Sequence, residues 1–131
     1  MMTLHIKSQK HVEMIDITRD VRDAVCEHNV RDGLALIFTP HTTAAITINE
    51  NADPDVCHDM IMAIDKIVPL QDGYRHLEGN SAAHLKSSLF GASETLIISN
   101  GELVLGTWQG LYFCEFDGPR QRQVQIQVIG K

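Results

Sequence analysis

The sequence predicts one α+β domain in which antiparallel sheet is covered by two main helices, and three observations predict it. Residues 123–129 alternate Gln with Val or Ile, the period of a strand with one wet and one packed face. Asp53-Pro54 reads as a helix start, because Asp accepts free backbone N–H groups and Pro suits the first helical position. Asn100-Gly101 is a pair preferred in two-residue hairpins, where both positions need positive φ. No internal repeat or linker separates these patterns, and 131 residues is the size of a single domain, so residues 1–131 are expected to form one unit.

The elements follow in order. Residues 3–17 read as two short strands broken at Ser8-Gln9-Lys10 and paired as a hairpin. Thr18 is expected to cap a helix in which Val21, Ala24, Val25 and His28 recur at spacings of three and four, ending before Asp32-Gly33. Residues 34–38 are an apolar run of strand length, residues 43–49 alternate around Ile46 and Ile48, and Thr39-Pro40-His41-Thr42 joins the two. The second helix carries Val56, Met60, Ala63, Ile64 and Ile67 as its apolar stripe until Pro69 stops it. Residues 70–79 are loop-like and hold Tyr74, His76 and Glu78; Asn80 or Ser81 then caps a short helix ending at Gly91. Strands at 95–99 and 102–105 flank the Asn100-Gly101 turn, and a strand at 111–116 precedes the last one.

Composition bounds the function. Hydrophobic residues make up 44% and charged residues 21%, ordinary for a globular protein, and no apolar run approaches the roughly 18 residues of a membrane span. A formal net charge of −6 argues against a nucleic-acid partner, which would call for a basic patch. The first residues lack a basic region followed by an apolar run, so a cytoplasmic location is expected. Cys26, Cys57 and Cys114 form no C-x-x-C pair and read as reduced, mostly buried thiols, with Cys57 the exception.

Chemistry concentrates in the loops. Of seven histidines, His5, His11, His28 and His58 fall on predicted strands and helices and read as structural. His41, His76 and His84 stand in or beside polar loops, where rigid scaffolds place function. A fold-back through Glu78-Gly79-Asn80 would bring His76 and His84 together, and His41 would supply a third imidazole. Three neutral imidazoles and a water describe an open catalytic zinc site, although this spacing matches no tight metal motif. Glu50, Asp53, Glu78, Glu115 and Asp117 are candidates to hydrogen-bond such histidines or to hold magnesium through oxygen. For Asp53 a helix cap, and for Glu50 plain solvation, are the simpler roles. Asn49 and Asn51 around Glu50 make an unusually polar run after an apolar strand, which reads as a site edge.

An anion has candidate partners as well. The helix start at Gly79-Asn80-Ser81 offers unpaired N–H groups, and Arg75, Lys86, Arg120 and Arg122 offer charge. Arg120 stands out by following a rigid Gly-Pro, whereas each of the others is better read as solvated on the surface. Trp108 and Gln109, between Gly106 and Gly110, form either a core anchor or a pocket wall that stacks on a planar ring.

Several of these segments together resemble a known family. They are His41-Thr42-Thr43-Ala44-Ala45, Asn49-Glu50-Asn51-Ala52-Asp53-Pro54, Tyr74-Arg75-His76 with Glu78-Gly79-Asn80, and His84-Leu85-Lys86-Ser87-Ser88. Gly106-Thr107-Trp108-Gln109-Gly110 and Glu115-Phe116-Asp117-Gly118-Pro119-Arg120 complete the set. In this order the chain is similar to the YjbQ-like, secondary thiamine-phosphate synthase family. The resemblance implies a YjbQ-like fold, a β-sandwich of mostly antiparallel strands that assembles as a homotrimer, with a polar histidine site near subunit boundaries. It also implies a weak transferase reaction joining hydroxymethylpyrimidine diphosphate to thiazole phosphate with release of diphosphate.

That chemistry asks for a divalent cation, zinc or magnesium, for basic donors on the departing diphosphate, and for a flat surface under the pyrimidine. The resemblance assigns the metal to His41, His76 and His84. It assigns catalysis to Glu50, Asp53, Glu115 and Arg120, and substrate binding to Asn49, Asn80, Lys86, Trp108 and Gln109. A (β/α)₈ barrel, the usual scaffold for this reaction, needs about 200 residues or more and is excluded by length. The competing expectations are a trimer that binds a metal or phosphorylated metabolite without turnover, and a metal-dependent hydrolase of a small phosphorylated substrate.

Overall fold

The structure, a computed structural model, spans residues 1–131 and is an α+β sandwich of two antiparallel sheets with three helices. In chain order the elements are β1 (Met2–Lys7), β2 (Glu13–Asp16), α1 (Thr18–Glu27), β3 (Gly33–Phe38), β4 (Ala44–Glu50) and α2 (Pro54–Ile67). They continue with α3 (Ser81–Phe90), β5 (Ser93–Ser99), β6 (Glu102–Leu103), β7 (Gln109–Glu115) and β8 (Gln121–Gly130). One sheet has the order β1-β8-β3-β5-β6 and the other β2-β7-β4.

The apolar period explains the sandwich. Ala35, Ile37, Leu96, Ile98, Val124 and Ile126 point from the five-stranded sheet onto Ala44, Ile46, Leu111 and Phe113 of the other. Each fully buried aliphatic side chain here contributes about 1.5–3 kcal/mol relative to exposure. Val21, Ala24 and Val25 of α1 seal the same core. No helix is long and apolar enough to cross a membrane.

Three local expectations are corrected. The opening strands do not form a hairpin: β1 pairs with β8 and β2 with β7, in different sheets. The break at residues 8–10 is a crossing between sheets, fixed where Ser8 N–H donates to the Arg120 carbonyl at 3.0 Å. Crossing sets Ile6 and Ile15 on opposite sides of one core, which a hairpin within one sheet would not do. Thr18 does not cap the first helix: Ile17 is the N-cap residue and makes no side-chain cap bond. Thr18, the first helical residue, donates from N at 2.9 Å and from Oγ1 at 2.6 Å to Asp16 Oδ1, and its Oγ1 accepts from Leu111 N at 2.9 Å. The short helix expected after Gly79 forms as α3, equal to α1 at 10 residues. It lies on β4, where Ser87 Oγ donates to the Ala44 carbonyl at 2.6 Å. Of the thiols only Cys114 is buried; Cys26 is exposed.

The Asn100-Gly101 turn forms as expected, with φ of 53° and 80°. Asp53 caps α2, its Oδ1 accepting from Asp55 N at 2.9 Å.

Candidate functional site

Three connections meet at one end of the β4–β7 ladder: the segment before β4, the loop leading into α3, and the turn between β7 and β8. Between them lies a cavity of about 460 Å³ with no hydrophobic residue in its lining. The first connection supplies His41, Thr42 and Thr43, and the loop and first turn of α3 supply His76, Glu78, Asn80 and His84. The last supplies Asp117, Arg120 and Arg122.

The floor is a buried ion pair. Arg122 Nε donates to Glu115 Oε1 at 2.8 Å, and Arg122 Nη2 donates to Glu115 Oε2 and, at 2.8 Å, to Thr43 Oγ1. Glu115 is fully buried and also accepts from Ser8 Oγ at 2.7 Å and Asp117 N at 3.0 Å. Burial alone would push its carboxyl up. The hydrogen bonds from Arg122, Ser8 and Asp117 N–H, with the Arg122 charge, outweigh it and hold the group below the usual carboxylate range. Glu115 is thus satisfied four ways and fixes Arg122 instead of facing a substrate.

The rim repeats this logic at the surface. Arg120 Nε donates to the Asp117 carbonyl at 2.8 Å and Nη2 to Asp117 Oδ2 at 3.0 Å, and Asn80 Nδ2 donates to the same oxygen at 2.9 Å. Burial raises the Asp117 carboxyl, but Asn80, Arg120 and the nearby His11 together carry it lower than usual. Asn80 Oδ1 is buried with no partner. Asn80 makes no cap hydrogen bond, so the first-turn N–H groups of α3 have no side-chain acceptor. The rings of His76 and His84 meet edge to face, 5.5 Å between centroids and 82° between planes. His76 Nε2 lies 3.9 Å from Glu78 Oε2.

The structure therefore brings together His41, His76, His84, Asn80 and Arg120, with Glu115 beneath them. It leaves Asn49, Glu50, Asp53, Trp108 and Gln109 elsewhere within the chain. Ala44 pairs with Glu115 beside the cavity, while Glu50 pairs with Gln109 at the other end of the same ladder. At about 3.3 Å per residue that separation is roughly 20 Å. Trp108 is neither core anchor nor pocket wall in the protomer; it is exposed. Lys86 is buried between helices, its Nζ on Asp65 and 6.0 Å from the centre of the Phe116 ring.

Arg122, read as solvated, is instead buried and lines the cavity. The signal was its parity: it shares the inward side of β8 with Val124 and Ile126, where a charge requires a partner. His11, read as structural, has its Nε2 3.7 Å from Asp117 Oδ1 at the rim.

The three histidines do not fit a resident metal ion. His41 Nε2 accepts the Gln123 N–H at 2.9 Å, which occupies its lone pair. No three His, Cys, Asp or Glu side chains converge as a metal ion would require.

Residues 2–131 match the family model described as UPF0047 protein YjbQ-like. The chain belongs to the UPF0047 family. Its UPF0047 relatives include the protein YugU of Bacillus subtilis, 57% identical over 129 residues that cover 98% of each chain. The protein MJ1081 of Methanocaldococcus jannaschii is 54% identical over 125 residues, covering 95% of this chain and 91% of its own. A crystal structure of an uncharacterised YjbQ/UPF0047 protein from Clostridium acetobutylicum superposes with a TM-score of 0.97 at 53% identity, covering 98% of this chain and 100% of that one. A hypothetical protein from Aeropyrum pernix superposes at 0.94 with 31% identity, covering 98% and 97%. The UPF0047 membership and fold are shown; none of these names states a reaction.

Proposed function

We propose that the cavity binds a small phosphorylated metabolite and performs proton-transfer chemistry on it. The reaction to test first is the thiamine-phosphate synthase-type transfer that the motif resemblance implies. One observation carries this reading: a polar cavity whose lining joins Arg120, Arg122 and the start of α3 to the His76–His84 pair. Guanidinium groups and uncapped helix N–H groups suit phosphate oxygens. Imidazole is the side chain that exchanges protons near neutral pH.

In the transferase form the thiazole nitrogen lone pair forms the new C–N bond as the pyrimidine methylene C–O bond breaks. Arg120 and Arg122 stabilise the departing diphosphate, and His84, set against His76, is the proton donor to its leaving oxygen. A divalent cation, magnesium or zinc, belongs to the diphosphate substrate in this reading and not to a three-histidine site. The protein works as a homotrimer, as the resemblance implies; the apolar outer face of the five-stranded sheet supports this assembly.

The test supplies purified protein with hydroxymethylpyrimidine diphosphate, thiazole phosphate and magnesium. Slow product formation that His84→Ala abolishes is expected. Product unchanged by His84→Ala would come from a contaminant and end the transferase reading. Diphosphate binding without turnover would leave a phosphometabolite-binding protein.

A further inference from the structure

The β3–β8 ladder ends at the pair Phe38 and Gln125. Two residues further the same register sets Pro40 opposite Gln123, and proline has no N–H to offer. Side chains take over where the backbone stops. Thr39 Oγ1 donates to the Gln123 carbonyl at 3.2 Å, and the Gln123 N–H donates to His41 Nε2 at 2.9 Å.

This arrangement decides the chemistry of the ring. A backbone N–H only donates, so Nε2 must present a lone pair, and in the neutral imidazole the proton then sits on Nδ1. Neither nitrogen is left with a free lone pair. His41 cannot take a proton or a metal ion without setting an N–H or a cation against the Gln123 N–H. Nδ1 has no protein partner, and the residue lines the cavity.

We infer that His41 is a tautomer-locked hydrogen-bond donor, held by the β8 edge so that Nδ1–H meets a phosphoryl oxygen of the substrate beside Arg122. The inference rests on the phosphometabolite reading for its ligand, whereas the lock stands on the strand geometry alone. The electrostatic surroundings agree. Burial, then the Arg122 charge, lower the His41 pKa, and Glu115 opposes them only in part. The other charged or titratable groups around the cavity are Arg120, Asp117, Glu78, His76 and His84. His41 is therefore a positioned neutral donor in the unliganded chain.

Two measurements test this on the full chain. In ¹⁵N-histidine-labelled protein, long-range ¹H–¹⁵N correlations are expected to show His41 mainly in the Nδ1–H form from pH 8 down to the ordinary histidine value of about 6.5. An Nε2–H or imidazolium pattern for His41 in that span overturns the lock, whatever the ligand. The second measurement titrates inorganic diphosphate. His41→Asn keeps an amide nitrogen near the Nδ1 position, and His41→Gln moves it toward Nε2. His41→Asn is expected to bind within about threefold of the native protein and His41→Gln roughly tenfold more weakly, the size of one hydrogen bond to a charged group. Equal affinities or the reverse order overturn the donor role. Native protein that fails to bind diphosphate removes the phosphometabolite reading and the assigned acceptor, while the tautomer spectrum still judges the lock.

Discussion

At the scale of single residues the cavity depends on Glu115, which touches no open space yet fixes Arg122. Glu115→Gln leaves a buried guanidinium beside a neutral amide, and breaking one side of a buried pair costs about 3–5 kcal/mol. A thermal melt should show a large drop in Tm; a melt like that of the native protein would mean that the pair contributes little. The sign of the pH effect follows from the lowered carboxyl. Its contribution is complete above the ordinary glutamate value of about 4.3 and is lost as pH falls through the lower folded value. Native protein should therefore hold its Tm from neutrality to about pH 5 and lose it below, and Glu115→Gln should flatten that acid limb. A limb of unchanged steepness in the variant would assign acid sensitivity to other carboxylates. This pair was only half legible in the sequence. Histidines in polar loops announce a site by composition, and the parity of β8 turns Arg122 inward, but its partner is fixed only by the turn that carries the chain from β7 in one sheet to β8 in the other. For His41 the loop position was visible but not its tautomer, because that depends on where a ladder stops.

Elements were more legible than their partners. The alternation in β8, the cap of α2 and the turn at Asn100-Gly101 stand as read, since each is a local pattern with a local cause. The opening hairpin failed because the same alternation serves two strands in one sheet or two strands facing across a core. The Asp53 cap tests the difference between local and distant roles. Asp53→Ala should cost about 0.5–2 kcal/mol in a denaturant melt, the usual price of a lost cap. Diphosphate affinity should stay within twofold, because Asp53 and the cavity lie at opposite ends of β4. A tenfold loss would place Asp53 in a site completed by another subunit. The β7–β8 turn is tighter. A Cβ on Gly118 would run into the Lys10 carbonyl oxygen and crowd Ser8 and Glu115. Gly118→Ala should cost about 1–3 kcal/mol through overpacking. It should also weaken diphosphate binding, because Asp117 and Arg120 flank the displaced backbone; intact affinity would show that the rim tolerates the shift.

At the scale of the molecule, the outer face of the five-stranded sheet has the pattern of a core and the position of a surface. Leu34 pairs with Ile97 on one side and Ile129 on the other, and these three side chains are 48%, 58% and 69% exposed. Leu36 and Phe38 continue the row along β3. A contiguous apolar strip of this kind marks an association surface, and closed symmetric assemblies bury such strips without leaving a free copy. A second copy of the chain is the occupant that the proposed homotrimer supplies. Light scattering should therefore give a mass three times the 14.6 kDa of one protomer. Leu36→Glu, which sets a charge in the middle of the strip, should shift the mass to that of one protomer. Native protein at protomer mass would remove the trimer. The same variant separates two ways of building the site. The lining within one chain already holds Arg120, Arg122 and the three histidines, so dissociated Leu36→Glu should retain diphosphate affinity within about threefold, well under the 1.4 kcal/mol of a tenfold change. If affinity is instead lost with the trimer, the far-end residues Glu50 and Trp108 reach the cavity from a neighbouring subunit, and the distance between the two ends of β4 is spanned by assembly and not by the fold.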